Sequence, residues 1–299
     1  MEPPDAGSDQ PSTSMQSPKS QKSESLLKVV RHVVKGTEIH GITAVNGELF
    51  IVRRPESVAS AVAPVVNVEV YDLATYVQSR RIPVPDLQYP QDMTSCTSFA
   101  CLYISDSVLR SIHKIQLSNV VQKKWSVGDQ PNCLSVNRTL NVLVTCTQSH
   151  LVKEYRTDGV LVRQIALAQP GLSFPRHAVQ LESGLLVVCH GSGSHPNHQV
   201  CITDIDGNVI ESFGGSDAMK GNQLCRPSYV AVFQGEYIFV ADSKNHRILL
   251  LTSNLVFVTF MLSKSQLRNP LRMLVVGDTL YVVDNFQSEG QVLVCDYRK

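Results

Sequence analysis

The chain has 299 residues, of which 43% are hydrophobic and 18% charged, and its formal net charge is +1. This composition is typical of a globular domain and excludes a wholly disordered chain. A charge so near zero predicts no long-range field for nucleic acid or an anionic membrane. No apolar run approaches the ~18 residues that span a bilayer, and no secretory leader follows Met1, so we expect a cytoplasmic protein without membrane contact.

The first 24 residues differ in composition from the rest of the chain. Residues 1–24 are rich in Pro, Ser and charge and contain almost no large apolar side chain. Such a segment cannot bury enough surface to offset the entropy lost on ordering, so we predict a disordered tail. We predict that residues 25–299 form a single domain. Its first segment, Ser25 to Lys35, is β-rich but has no hairpin partner after it.

A hairpin pattern then repeats along the chain. Asn46-Gly47 between two apolar runs is the strongest short hairpin signal, and later units begin at prolines 41 to 52 residues apart: Pro90, Pro131, Pro175, Pro227 and Pro270. Self-similarity at this period is typical of propeller blades. The sixth unit ends one strand early, and Leu26 to Val34 could supply that strand. The sequence therefore predicts an all-β, six-bladed β-propeller of four-stranded antiparallel blades, closed by an N-terminal strand.

The fifth unit, Arg226 to Leu251, carries the most specific motif. It contains P-x-x-V-A-V and then V-A-D-S-x-N-H-R-I, which resembles an NHL repeat, the blade of a six-bladed propeller family. Blades three and four depart from the motif at its Asp position, where Cys146 and His190 stand. The resemblance implies a relation to the C-terminal propellers of tripartite-motif ubiquitin ligases. The printed sequence contains no RING, B-box or coiled coil, so the implied role is substrate recognition linked to ubiquitination.

Enzymes occur among similar propellers, and a zinc lyase would need three histidines at the axis with a Tyr and an Arg nearby. The first strands place a smaller set there: His40 and His177, with Tyr229, Arg272 and, as third ligands in principle, Asp92 or Cys133. Two histidines on opposite blades do not close a zinc site. We therefore predict no metal, no cofactor and no catalytic residue, and that the chain is not an enzyme. A metal-dependent, lyase-like propeller enzyme remains an alternative.

In NHL propellers, the loops between blades and those joining second to third strands emerge on one face, where partners bind. Arg and aromatic residues are enriched both at protein interfaces and at single-stranded RNA sites. The residues predicted for this face are Arg54, Tyr89, Arg176, His177, Arg226, Tyr229, Arg268 and Arg272. Acidic residues on the same face favour a protein partner. We predict a monomeric protein-binding scaffold with no small-molecule substrate, and single-stranded RNA binding in post-transcriptional regulation is the alternative.

Overall fold

The structure is a computed structural model that describes residues 27–54, 65–167, 174–191, 197–215 and 221–297. For residues 27–30 only the backbone is described. The predicted tail, residues 1–24, and the predicted domain boundary after it lie outside these residues, so both stay predictions. Within the described residues, no helix is long and apolar enough to cross a membrane.

The described strands form six antiparallel sheets of four strands each, which confirms the predicted all-β, six-bladed propeller. The strands of the first three blades follow β1 (Leu27–Thr37): β2 (Ile39–Val45), β3 (Glu48–Arg53), β4 (Val66–Asp72), β5 (Gln78–Val84); β6 (Pro90–Cys96), β7 (Cys101–Asp106), β8 (Ser111–Gln116), β9 (Gln122–Ser126); β10 (Leu134–Val136), β11 (Val142–Cys146), β12 (Leu151–Tyr155), β13 (Leu161–Ala166). The remaining strands are β14 (Pro175–Gln180), β15 (Leu186–His190), β16 (Gln199–Thr203), β17 (Val209–Gly214); β18 (Pro227–Phe233), β19 (Tyr237–Asp242), β20 (Arg247–Thr252), β21 (Phe257–Leu262); β22 (Pro270–Val276), β23 (Thr279–Phe286), β24 (Glu289–Tyr297). One 3₁₀ turn, Ser243–Asn245, joins β19 to β20.

The ring closes through β1, as predicted. The sheet of blade six has the strand order β22-β23-β24-β1, and β1 pairs antiparallel with β24 from Leu27 opposite Tyr297 to Thr37 opposite Glu289. This pairing gives blade six its fourth strand. It also satisfies backbone groups of β24 that would otherwise form an open sheet edge.

The hydrophobic core lies between neighbouring blades. Phe50 and Val52 of blade one, for example, pack with Met93 and Ile104 of blade two, and all four are fully buried. Second strands are buried on both sheet faces, which explains their nearly continuous apolar runs. The fourth strands lie outermost and are largely exposed. All eight cysteines are free, and seven are buried.

Hydrogen bonds tie the loops of one face together. Asp106, Asp242 and Asp284 lie in second strands, and each carboxylate accepts a backbone N–H from the segment that enters the first strand of its own blade, at 2.6 to 2.7 Å. His150 accepts a hydrogen bond from the Phe174 N–H at 3.0 Å, which links blade three to blade four. A buried or partly buried polar side chain thus organises each of these loops.

Candidate binding face and axial pocket

The first strands begin, and the second strands end, on the same face of the ring, which we call the loop face. Pro90, the first residue of β6, pairs with Asp106, the last residue of β7. Pro227 likewise pairs with Asp242. Residues just before a first strand or just after a second strand therefore lie on the loop face, as the sequence predicts for Arg54, Tyr89, Arg226 and Arg268.

Two of these arginines lie over aromatic rings at the surface. The Arg54 Cζ is 4.3 Å from the ring centroid of Tyr89, and the Arg54 side chain is 42% exposed. Its Nη1 lies 3.6 Å from Glu38 Oε2. The Arg268 Cζ is 5.1 Å from the ring centroid of Phe286, and both residues are exposed. Such cation–π pairs present a flat, amphipathic surface to a partner.

Three predicted binding-face residues, His177, Tyr229 and Arg272, are instead buried beneath the loop face at the propeller axis. Each follows the first proline of its strand by two residues, at the innermost position of the blade. Together with Asp92 they form what we call the axial cluster. The rings of His177 and Tyr229 stack with centroids 3.6 Å apart, and the Tyr229 hydroxyl donates to Asp92 Oδ2 at 3.4 Å.

A buried ion pair holds the axial cluster together. The Arg272 Nε donates to Asp92 Oδ1 at 3.1 Å, and both side chains are almost fully excluded from solvent. The Arg272 Nη2 and Nη1 donate to the carbonyls of Gln91 and Leu271 at 2.6 and 2.9 Å. Burial raises the pKa of Asp92 to about 6, and the Arg272 guanidinium opposes that rise.

His177, one of the two histidines considered as zinc ligands, is hydrogen-bonded to backbone groups through both ring nitrogens. His177 Nε2 donates to the Leu134 carbonyl at 3.2 Å and its Nδ1 accepts from the Val230 N–H at 3.4 Å. Burial lowers its pKa to about 3, so the ring is neutral and both nitrogens are occupied by backbone groups. Burial also raises the pKa of the Cys133 thiol to about 12. In the part of the chain that the structure describes, no three His, Cys, Asp or Glu side chains are grouped to hold a metal ion.

Directly above the axial cluster, the loop face opens into a cavity of about 290 Å³, which we call the axial pocket. Its lining includes two guanidiniums, one imidazole and several amides: Arg176, Arg272, His40, Gln91, Asn132 and Gln148. A larger cleft of about 570 Å³ lies at the outer edge of blade six and is lined in part by Arg268 and Phe286. The predicted residues therefore fall into a rim, a pocket wall and a buried floor.

Sequence reasoning missed two exposed apolar residues on the loop face. Val108 and Leu109, in the loop between β7 and β8, are 58% and 36% exposed. Their loop packs against the chain at Tyr89, because the Ser107 N–H donates to the Tyr89 carbonyl at 3.1 Å. The signal was present in D-S-V-L-R, where two apolar residues stand in a turn that is polar in blade five.

Two comparisons with known proteins find no match to this chain. No protein-family model matches it, and no curated protein sequence matches it. These searches therefore do not support the NHL assignment. They also do not support the links to tripartite-motif proteins, ubiquitination and RNA.

Solved structures do match the chain. Aldose sugar dehydrogenase from Streptomyces coelicolor, in its PQQ-bound form, has a TM-score of 0.65 at 13% identity, over 90% of this chain and 97% of that one. A catalytically inactive virginiamycin B lyase from Staphylococcus aureus, with quinupristin, has a TM-score of 0.60 at 13% identity, over 89% and 98%. A chain of a nidogen–laminin complex has a TM-score of 0.60 at 14% identity, over 78% and 82%. Identities this low show the β-propeller fold alone.

The prediction that the chain is not an enzyme excluded catalysis, and that exclusion is wrong. It depended on the lack of a recognisable catalytic motif, yet the lyase and the dehydrogenase are enzymes with a similar fold. Fold does not determine function, so this architecture is compatible with a binding scaffold and with catalysis. The local chemistry of the loop face and the axial pocket must decide between them.

Proposed function

We propose that the chain is a recognition module that binds a protein partner on its loop face. The observation that carries this proposal is a surface region in which the stacked Arg54 and Tyr89 lie next to the loop of the exposed Val108 and Leu109; the backbone N–H groups of Tyr89, Val108 and Leu109 all donate to Asp106 Oδ1. We call these four residues the rim patch. Arg, Tyr and exposed apolar side chains in one place form the typical centre of a protein interface.

The electrostatics of the rim patch favour a protein over RNA. The Arg54 guanidinium already lies 3.6 Å from a Glu38 carboxylate oxygen, so it offers a phosphate only part of a charge. The same guanidinium covers one face of the Tyr89 ring, which limits base stacking on that face. Val108 and Leu109 need an apolar partner surface that a ribose–phosphate backbone does not supply.

The NHL assignment is part of this proposal and is supported by the contacts of blade five. The Asp242 carboxylate accepts hydrogen bonds from the Cys225 N–H, the Asn245 amide and the Arg247 Nε, each at 2.7 Å. The His246 ring contacts the Arg268 carbonyl of the next blade. The motif residues therefore have a structural role in shaping the loop face. Substrate recognition for a separate ubiquitin ligase is the role that this resemblance adds to the proposal.

Site-specific photo-crosslinking tests the proposal. A crosslinking amino acid at Val108 should capture one or a few proteins from extracts of the source cells, and excess unlabelled chain should compete. The control is the same amino acid at Val77, which is 65% exposed and lies between β4 and β5 on the opposite face. The Tyr89→Ala variant should weaken capture at least tenfold, because interface energy concentrates in such aromatic anchors.

Titration with random single-stranded RNA at two salt concentrations provides the competing arm. Several phosphate contacts would reduce affinity by orders of magnitude as salt rises. We expect weak binding with no sequence selected. Equal capture from Val108 and Val77, or tight and salt-sensitive RNA binding, would contradict the proposed function.

A further inference from the structure

Arg176 lines the axial pocket without a charge partner. It is the second residue of β14, and among the described residues its guanidinium forms no ion pair or hydrogen bond. The other guanidinium of the pocket, on Arg272, is neutralised by Asp92. Glu38, the carboxylate in the pocket lining, lies against Arg54 instead. One positive charge at the pocket wall, on a partly exposed side chain, therefore has no counterion among the described residues.

The environment of Arg176 favours binding of an anion. Burial lowers the pKa of Arg176, and the like charges of Arg272 and Arg226 add to that effect. A guanidinium has a planar fork of donors that matches the two oxygens of a carboxylate. The Arg176 side chain in the pocket wall is therefore suited to bind a carboxylate.

The opposite wall of the pocket carries a neutral imidazole. His40 belongs to blade one and Arg176 to blade four, which are opposite each other in a ring of six blades. Burial lowers the pKa of His40 to about 3, so its imidazole is neutral at physiological pH. Its Nε2 is buried, has no hydrogen-bond partner among the described residues and lies 3.5 Å from Glu38 Oε2. This wall therefore adds neither a positive charge nor an accessible hydrogen-bond acceptor to the pocket.

The remaining walls are polar and held in place. The Asn132 amide donates to Thr147 Oγ1 at 2.8 Å, and Thr147 Oγ1 donates to the Pro175 carbonyl at 2.8 Å. On another side, the Gln91 amide donates to Ser107 Oγ at 3.1 Å. A volume of about 290 Å³ is at the small end of ligand cavities. Size and lining fit a small, polar ligand better than an apolar one.

We propose that the axial pocket binds a small organic carboxylate, with its carboxylate group against the Arg176 guanidinium. None of the four rim residues lines the pocket, but the rim patch adjoins it, because the Tyr89 ring centroid is 6.2 Å from that of His40 and Arg54 pairs with Glu38. Arg176→Gln therefore tests this site, and Tyr89→Ala tests the rim patch.

Calorimetric titration of the full chain with small acids tests the proposal. L-malate and succinate carry two carboxylates each, and L-lactate and propionate carry one. We expect malate and succinate each to bind with a Kd below about 1 mM. Arg176→Gln should abolish binding of both acids, whereas His40→Leu should leave it in place, because the His40 Nε2 is not accessible to a ligand.

Two further variants keep the result independent of folding. Arg268→Gln removes an exposed cation of the same face that does not line the pocket, and it should bind malate like the unmodified chain. Arg176→Lys retains the charge and should bind malate more weakly than the unmodified chain but more tightly than Arg176→Gln. Each variant is first compared with the unmodified chain by thermal unfolding without ligand. Equal binding of malate by Arg176→Gln and the unmodified chain, no saturable binding of any of the four acids, or tighter binding of inorganic phosphate than of malate would overturn the proposal.

Discussion

Replacing Arg272 by Met tests whether the buried ion pair with Asp92 stabilises the propeller axis. Met keeps much of the apolar length of the side chain but removes the Nε that donates to Asp92 Oδ1 at 3.1 Å. The Asp92 carboxylate would then keep neutral donors, the Leu134 N–H at 2.9 Å and the Tyr229 hydroxyl at 3.4 Å. Breaking a buried pair by removing one partner costs roughly 3–5 kcal/mol, and we expect this loss in the free energy of unfolding at pH 7.

The loss should be smaller at pH 5, because Asp92 can then bind a proton. Its folded pKa, raised by burial to about 6, lies above the ordinary value of 3.8, so stability falls as the pH rises from the unfolded to the folded pKa. Removing Arg272 raises the folded pKa further and extends this interval. While the folded pKa of Asp92 stays below 7, each unit by which it rises adds about 1.4 kcal/mol to the difference between the stability lost at pH 7 and that lost at pH 5.

Urea unfolding at pH 5 and pH 7 measures both effects. The control is Arg81→Met, since Arg81 is 61% exposed and lies 3.8 Å from a Glu69 oxygen; we expect it to change stability by less than about 0.5 kcal/mol at either pH. The double variant Asp92→Leu with Arg272→Met should lose less than the single variants together, because it leaves no buried charge unpaired. An Arg272→Met protein within about 1 kcal/mol of the unmodified chain at pH 7, or a loss independent of pH, would refute the reasoning.

Two further predictions concern the ring and a buried histidine. Deleting residues 1–37 removes β1 and should lower the Tm by at least about 5 °C. Deleting residues 1–24 should leave the Tm unchanged. Equal Tm values for the two truncations would contradict the closing role of β1. His190 is fully buried, neither of its ring nitrogens has a hydrogen-bond partner among the described residues, and burial lowers its pKa to about 3. A folded pKa below the unfolded value of 6.5 means that stability is lost as the pH falls below 6.5. His190→Leu should therefore reduce the stability lost between pH 7 and pH 5 by roughly 1–2 kcal/mol and leave stability at pH 7 nearly unchanged. Urea unfolding measures both effects. A decrease of more than about 2 kcal/mol at pH 7 would show that the imidazole is required.

The candidate site was only partly predictable from the sequence. Placing Arg54 and Tyr89 on one face followed from their positions beside strand ends, but the 4.3 Å stacking between them did not. The lack of a recognisable catalytic motif did not show whether the chain is an enzyme, because a chain without such a motif can still have a fold that enzymes share. The free charge of Arg176 could be recognised only after every described carboxylate near it had been located.

The amino-acid sequence by itself determined the number of blades, the antiparallel hairpins and the closing strand. These features depend on local signals, such as Asn46-Gly47 at a turn or a proline at the start of a strand, and on a repeat period that the chain shows directly. The tertiary structure alone decided which polar side chains meet at the axis. Asp92 and Arg272 are 180 residues apart, and their contact exists because the ring brings the first strands of separate blades together. A repeat pattern indicates that these positions are equivalent, but the side chains at them and the distances across the axis determine whether they pair, stack or line the axial pocket.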